Sequence, residues 1–223
     1  DFITFVDDKP MLGLTLSEAV EIMRGPVGSS IKLTIVREGL EDPIEVEVTR
    51  DVIKLTAAKV RIDNDVVIMR VTTFNEQTIP NLEDGMKATM EKTGINEPKG
   101  FILDLRNNPG GLLSVAISVT DLFLDQGEIV STRDREGKGE RYKASKGDIA
   151  KSKPVVILIN AGSASASEIV AGALQDHQRA IVLGTKSFGK GSVQSVLPMG
   201  QRGGIRLTTA RYYTPSGRSI QAL

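Results

Sequence analysis

The sequence predicts an α/β (α+β) fold, with parallel strand pairing in the core and antiparallel hairpins at its flanks. Three observations carry this. Strand-like and helix-like segments alternate through residues 66–185, the pattern of a βαβ core. Two of the strands, residues 100–105 (GFILDL) and 155–159 (VVILI), are short apolar runs rather than alternating ones, as expected for strands covered on both faces. Residues 30–37 and 44–49 instead alternate apolar with polar, as in a hairpin with one solvated face.

Composition narrows the function classes. At 223 residues, with 40% apolar and 25% charged side chains, the chain is an ordinary globular protein of one large or two small domains. Its 28 basic and 28 acidic residues cancel, so no net field draws nucleic acid or an anionic membrane. The absence of cysteine removes disulfides, thiol nucleophiles and thiolate metal sites together, and permits an exported location. No apolar run reaches the roughly 20 residues of a membrane span. The chain opens at Asp1 inside a strand-like run, which reads as a processed or truncated fragment.

Taken in order, residues 2–6 predict a strand and residues 7–10 a turn. Thr15 and Glu18 form a capping box that starts a short helix with Leu16, Ala19, Val20 and Met23 on its apolar face, and Gly25-Pro26 stops it. The hairpin of residues 30–49 follows. Residues 51–58 form a polar-apolar connector without Gly or Pro, taken as the boundary between a domain of residues 1–51 and one of residues 52–223. A second hairpin spans residues 60–62 and 66–71 around Asp63-Asn64-Asp65. That acidic turn lacks the Gly and distal Glu of a calcium loop, so it reads as turn chemistry and not a metal site. A helix over residues 80–92 ends at Gly94, with Leu82, Met86, Ala88 and Met90 as its core face. The strand of residues 100–105 enters Arg106-Asn107-Asn108-Pro109-Gly110-Gly111 and a helix over residues 112–123. A Gly-rich turn at a helix start is either an oxyanion or phosphate cradle, or simply a turn that needs positive φ. Asp104 and Arg106 suit a local ion pair. Strands are expected at residues 128–133, 140–144 and 205–213, with a charged loop tip between the first two.

The chemistry concentrates in residues 160–194. A buried strand leads into a small-residue turn with Ser163, Ser165 and Ser167, then a helix over residues 168–175. A second buried strand, residues 180–183, leads to a Gly-rich loop carrying Lys186 and Lys190. A Ser-His-Asp triad does not fit: the only histidine, His177, lies 12 residues after Ser165 on the same predicted helix, roughly 18 Å along its axis. A nucleotide loop does not fit either. Residues 184–190 match G-x-x-x-x-G-K, but Gly191 stands where Ser or Thr must hold magnesium, and residues 192–197 alternate as a strand. What remains is a serine nucleophile with a desolvated lysine as base, near which Phe188 can exclude water. From these residues alone the three serines and two lysines stay equivalent.

Four segments in register, DLRNNPGG (104–111), GSASASEI (162–169), GTKSFGKGSVQ (184–194) and RYYTPSGRSIQ (211–221), resemble the carboxyl-terminal processing proteases, also called tail-specific proteases. Residues 1–37 resemble the later part of a PDZ domain. The first strand and carboxylate-gripping loop of such a domain would lie before Asp1, so a truncated, partial PDZ domain is expected at residues 1–51, with Leu16, Val20 and Met23 either on the peptide-binding groove wall or in the small core. The resemblance implies a crotonase/Clp-protease-like core at residues 52–223. It implies Ser165 as nucleophile, Lys190 as base 25 residues later, and Gln194 orienting the lysine. It also implies oxyanion N–H groups from Gly111, with Gly110 second, and from Ala166; Ser163, Ser167 and Lys186 become supporting residues, and Ser167 and Glu168 suit the first helical turn. It further implies polypeptide substrates with exposed apolar C-termini, no cofactor or metal, no nucleotide, and a bacterial periplasmic or envelope location. Two other readings stand beside it: an inactive peptide-binding member of the same family, and a crotonase-like acyl-CoA enzyme, which has no need of a Ser165/Lys190 pair.

Overall fold

The computed structural model describes residues 1–52, 56–200 and 203–222, and resolves into two compact units, Asp1–Leu55 and Thr56–Leu223. Residues 53–55 of the expected connector lie outside the described residues.

In the first unit, β1 (Phe2–Val6), β2 (Lys9–Pro10), β3 (Ser30–Val36) and β4 (Ile44–Thr49) form an antiparallel sheet in the order β2-β1-β3-β4, accompanied by α1 (Leu16–Met23). The helix starts where the capping box is expected: the Thr15 N–H donates to Glu18 Oε2 at 2.8 Å, and the Glu18 N–H to Thr15 Oγ1 at 3.4 Å. It stops at Arg24, whose backbone is extended ahead of Gly25-Pro26. Among the described residues, Val6 and Ile31 are the buried apolar side chains here. Core-filling by the helix face fails for Leu16, which is 81% exposed; Val20 and Met23 are half-buried. A residue in the first turn points past the small sheet into solvent. Arg24 also stays in solvent, paired with Glu21 at 3.0 Å.

The second unit runs β5 (Ala58–Asp63), β6 (Val66–Val71), α2 (Thr78–Thr93), β7 (Gly100–Asp104), α3 (Leu113–Asp121), β8 (Glu128–Arg133), β9 (Arg141–Lys143), β10 (Val155–Ile159), α4 (Ala166–Asp176), β11 (Ile181–Gly184), β12 (Ser192–Pro198) and β13 (Gly204–Tyr213). One sheet has the order β11-β10-β7-β6-β5; its first four strands are parallel and β5 closes the edge as an antiparallel hairpin. The hairpin turn has Asn64 at φ 47° and Asp65 at φ 65°, the left-handed pair that a two-residue turn requires and that Asn and Asp tolerate. The other sheet, β12-β13-β8-β9, is antiparallel throughout. Leu103 and Leu105 around β7, Ile157 on β10, Phe123 and Ile129, and Ile169 and Leu174 of α4 are fully buried in one continuous core.

Three expectations change. The strand at residues 180–183 is not buried: β11 is the sheet's edge, and Ile181 and Leu183 are 70% and 59% exposed. Ala88 faces solvent, since from Leu82 the helical period returns to the core at Met86 and not six residues on; Gly85 instead lets α2 lie close to β5, because a Cβ there would stand 3.0 Å from Val60. In β10, Val155 and Ile157 are buried while Val156, Leu158 and Ile159 are half-buried. Among the described residues, no helix is long and apolar enough to cross a membrane.

The parallel core fixes where chemistry can occur. The loops after β7, β10 and β11 all leave from the carboxyl edge of the same sheet, where open α/β sheets present their sites. Those loops are residues 105–112, 160–165 and 185–191, the segments that the sequence singles out.

Candidate active site

Each loop is held by side chains that the sequence places at its start. Asp104, 6% exposed at the end of β7, accepts two hydrogen bonds from the Arg106 guanidinium at 2.8 Å and one from Arg70 at 2.9 Å. Burial alone would push its carboxyl up, but Arg106 and Arg70 outweigh that and hold it below the ordinary aspartate range. Asn108 is fully buried: its Nδ2 donates to the Val71 carbonyl and its Oδ1 accepts the Gly110 N–H, both at 2.9 Å. Gly110 (φ 103°) and Gly111 (φ 149°) lie where other residues are strained and space is absent. A Cβ on Gly111 would stand 2.1 Å from the Phe74 carbonyl; one on Gly110 would stand 2.9 Å from Ser165 Cβ and 3.0 Å from the Ala166 nitrogen. The Gly-Gly turn is therefore packed directly against the serine turn.

The three serines are not equivalent. Ser163 and Ser167 are fully buried, and their hydroxyls donate to the Leu105 carbonyl at 2.8 Å and the Asn108 carbonyl at 2.9 Å. Both are fasteners between the two loops. Ser165 is half-buried, and its hydroxyl donates to no acceptor among the described residues. It sits at the N-terminus of the 11-residue α4 with φ 55° and ψ −111°, a conformation costing a non-glycine residue ~1–3 kcal/mol. The packing around Ser163 and Ser167 holds it there. The N–H groups of Gly111 and Ala166 take no partner among the described residues, whereas that of Gly110 is committed to Asn108. Gly110 thus shapes the turn and is not a free donor in this conformation. With the positive end of α4 behind them, the two free N–H groups suit a developing oxyanion.

Glu168 joins the serine to the lysine loop. It is 7% exposed, and its carboxylate accepts four hydrogen bonds: from the Ser165 N–H (2.8 Å) and the Lys190 N–H (2.8 Å) on Oε2, and from the Ser187 hydroxyl (2.7 Å) and the Gly189 N–H (2.6 Å) on Oε1. Two nitrogens that share one oxygen lie at most twice 2.8 Å apart, so the backbones of Ser165 and Lys190 are neighbours. The Phe188 N–H adds a bond to the Ser163 carbonyl at 3.0 Å. Sequence reasoning placed Glu168 in a helix cap and missed this second role. The signal was S-x-x-E at residues 165–168, which fixes the cap but does not show what else reaches the carboxylate.

The side chains of the lysine loop are less assembled than its backbone. Lys190 is exposed, and among the described residues its Nζ makes no hydrogen bond or ion pair; Lys186 and Gln194 are exposed too. Phe188 is 66% exposed and excludes no water from the lysine in this conformation. Gln194 lies on β12, paired with Thr208 beside a register shift. Close packing requires glycine at positions 189 and 191. A Cβ on them would stand 2.4 Å from Ala222 and 2.3 Å from the Gln221 nitrogen, because residues 220–222 lie against the loop. The Ala222 N–H donates to the Gly189 carbonyl at 2.9 Å, and the Gly191 N–H to Gln221 Oε1 at 3.2 Å.

Two further groups hold this corner. His177, the C-cap of α4, has Nε2 2.7 Å from the Glu128 carbonyl and takes no part in the serine turn. Asp176 accepts the Ser216 N–H at 3.0 Å and pairs with Arg218 at 2.6 Å, tying down residues 216–218. Burial pushes its carboxyl up, but bonds from Thr214, Ser216 and Arg218 outweigh this and bring it down to about 2. A depressed carboxylate stabilises the fold above its unfolded pKa, and the contribution is lost as pH falls through the folded value. Asp176→Asn should therefore cost about 2 kcal/mol near neutrality, seen in denaturant titrations, and the gap from the parent should close between about pH 4 and pH 2. A gap that persists at pH 2 would mean that packing, not charge, holds the segment.

The model of Peptidase family S41 matches residues 65–223. A carboxy-terminal-processing protease of Bartonella bacilliformis is 54% identical over 224 residues, covering 100% of this chain and 52% of that protein. The chloroplastic carboxyl-terminal-processing peptidase 2 of Arabidopsis thaliana is 34% identical over 230 residues, covering 99% and 44%. Among solved structures, a photosystem II D1 C-terminal processing protease superposes with a TM-score of 0.67 at 29% identity, covering 98% of this chain and 60% of that one. The chain spans about half the length of the curated relatives it matches. The family match over residues 65–223 and the relatives agree: the chain belongs to peptidase family S41, with carboxy-terminal processing proteases among its relatives.

Proposed function

We propose that this chain carries the catalytic core of a serine endopeptidase that cuts polypeptides near exposed, apolar C-termini, using Ser165 as nucleophile and Lys190 as base. The observation that carries this reading is the Glu168 carboxylate, which binds the backbone N–H groups of both residues next to a pair of free N–H donors. Neutral Lys190 takes the Ser165 proton as the oxygen attacks the scissile carbonyl. Gly111 and Ala166 N–H groups hold the oxyanion, each worth about 3–4 kcal/mol. Protonated Lys190 then donates to the leaving amine, an ester remains on Ser165, and water enters with Lys190 again as base. None of these steps calls for a metal or cofactor.

The exposed Lys190 supports a resting form of this site. Its backbone is anchored on the carboxylate that also binds Ser165, and in this reading the side chain turns toward Ser165 for catalysis. Substrate lying over Lys190 and Phe188 would shield the amine from water, and Gln194 would then orient it. The N-terminal unit is read as a partial PDZ domain, residues 1–51 with the core at 52–223, that engages the tail through Leu16, Val20 and Met23. The location proposed is outside the cytoplasm, in a bacterial periplasm or envelope. Lys190→Arg tests the base: arginine cannot be deprotonated, so the full-length variant should be as inactive as Lys190→Ala. The parent's single-turnover rate should rise with pH. Substantial cleavage by Lys190→Arg, or a rate that falls with pH, would remove Lys190 from the mechanism.

A further inference from the structure

The long strand β13 is paired on both sides only at its end. Along β12 its register runs from Gly204 to Arg211, but against β8 it pairs only through Arg211, Tyr212 and Tyr213. Among the described residues, the outer edge of residues 204–210 is unpaired, and the loop after β8 diverges from it. The gap is a groove of about 580 Å³, lined by Thr208, Thr209 and Ala210 on one wall and Asp134, Arg135 and Glu136 on the other. That size falls within the ~300–1,000 Å³ of ligand sites.

At the closed end stand Arg133 and Arg211, directly opposite in register. Like charges facing each other across strands destabilise a sheet. Among the described residues neither forms an ion pair, and the bonds that Asp134 and Glu136 make stay within their own loop. Asp134 Oδ1 accepts the N–H groups of Glu136 and Lys138 at 2.8 and 2.9 Å, and Glu136 pairs with Lys138 at 2.7 Å. Arg133 is held in place over the Tyr213 ring, 4.4 Å from its centroid. Arg135 also lines the groove without an ion pair.

We propose that this groove binds the end of an extended polypeptide, which adds as a strand to the free edge of β13 and places its α-carboxylate between Arg133 and Arg211. The groove decides that it is an end. Beyond the arginine pair β8 occupies the edge itself, so an inserted strand can go no further. The charge decides which end, since two guanidinium groups attract a carboxylate and repel an ammonium. A chain finishing there runs parallel to β13. Because Tyr212 donates to the Gly191 carbonyl at 2.8 Å, the groove is one strand removed from the lysine loop. This inference rests on the reading above that the protein handles polypeptide C-termini, and adds a recognition site within the core itself.

The test uses full-length protein carrying Ser165→Ala, which prevents turnover, and a short fluorescent Val- and Thr-rich peptide. The peptide is prepared with a free carboxylate, with a terminal amide, and with a terminal amide after a last-position Glu. A photo-cross-linker near its end reports location. The free acid should cross-link to residues 204–211, and Arg133→Gln/Arg211→Gln should weaken that binding about tenfold or more while leaving the amide unchanged. With like charges removed, the double variant should melt at the same or a higher temperature, so lost binding would not reflect misfolding. Cross-links confined to residues 1–52, equal affinity for acid and amide, equal affinity for the Glu amide, or indifference to the double substitution would each overturn the site. Cleavage by the unsubstituted protein is scored separately. Cleavage without arginine-dependent binding sinks this site alone, and arginine-dependent binding without cleavage sinks the peptidase reading alone.

Discussion

Full-length protein carrying Ser165→Ala should lose cleavage of an unfolded substrate with an apolar C-terminus by on the order of 10⁴-fold or more, the scale seen when a nucleophile is removed from a serine hydrolase. Its melting temperature should barely move. The Ser165 hydroxyl donates to no acceptor among the described residues, and alanine bears the same backbone strain at φ 55° that serine does. The flanking serines supply the contrast. Ser163→Ala and Ser167→Ala each strip a donor from a buried carbonyl, at a cost of about 1–3 kcal/mol in stability, while the nucleophile stays in place. Cleavage by Ser165→Ala within tenfold of the parent would show that another residue attacks.

Glu168→Ala should be nearly as damaging, through a different physical route. It leaves three backbone N–H groups and the Ser187 hydroxyl without their acceptor in a buried place, each a loss of about 1–3 kcal/mol before relaxation. The tie between the turn of Ser165 and the loop of Lys190 goes with it. We expect a fall in melting temperature and a loss of kcat of roughly 10²-fold or more in the protein that still folds, with KM changed far less, because the carboxylate is committed to holding the two loops together. Glu168→Gln preserves shape but turns half of the acceptor into a donor facing other donors, so it should rescue stability only in part and activity hardly at all. A Glu168→Ala protein with parental kcat would mean that the two loops hold each other without the carboxylate.

These cases show what the sequence could carry. Apolar runs and alternating patterns located the strands, the capping box of Thr15 and Glu18 set the start of α1, and paired φ-positive Asn64 and Asp65 gave the hairpin turn, because each depends on neighbours along the chain. Burial that depends on what packs from elsewhere was not legible. The residues of β11 look like a core strand, yet it is an edge, and nothing local to Gly189 and Gly191 announces that the chain's own residues 220–222 lie against them. In the candidate site, helix geometry and loop composition reduced the chemistry to a serine and a lysine. Resemblance alone pointed to Ser165; what sets it apart from its neighbours in the fold are long-range bonds, those of Ser163 to Leu105 and of Ser167 to Asn108, which no local spacing announces. Glu168 is the same case: a cap by spacing, a four-bond acceptor only once the loop after β11 folds back.

In the proposed mechanism Ser165, activated by Lys190, becomes acylated. Full-length protein would be mixed with a substrate ending in an apolar tail, quenched in acid within a single turnover, and digested for mass spectrometry. A transient ester is expected on the peptide containing Ser165, with the mass of the substrate's N-terminal product, present in the parent and absent from Lys190→Ala. Cleavage that proceeds with the acyl group on another residue, or with no acyl-enzyme at any time, would contradict it.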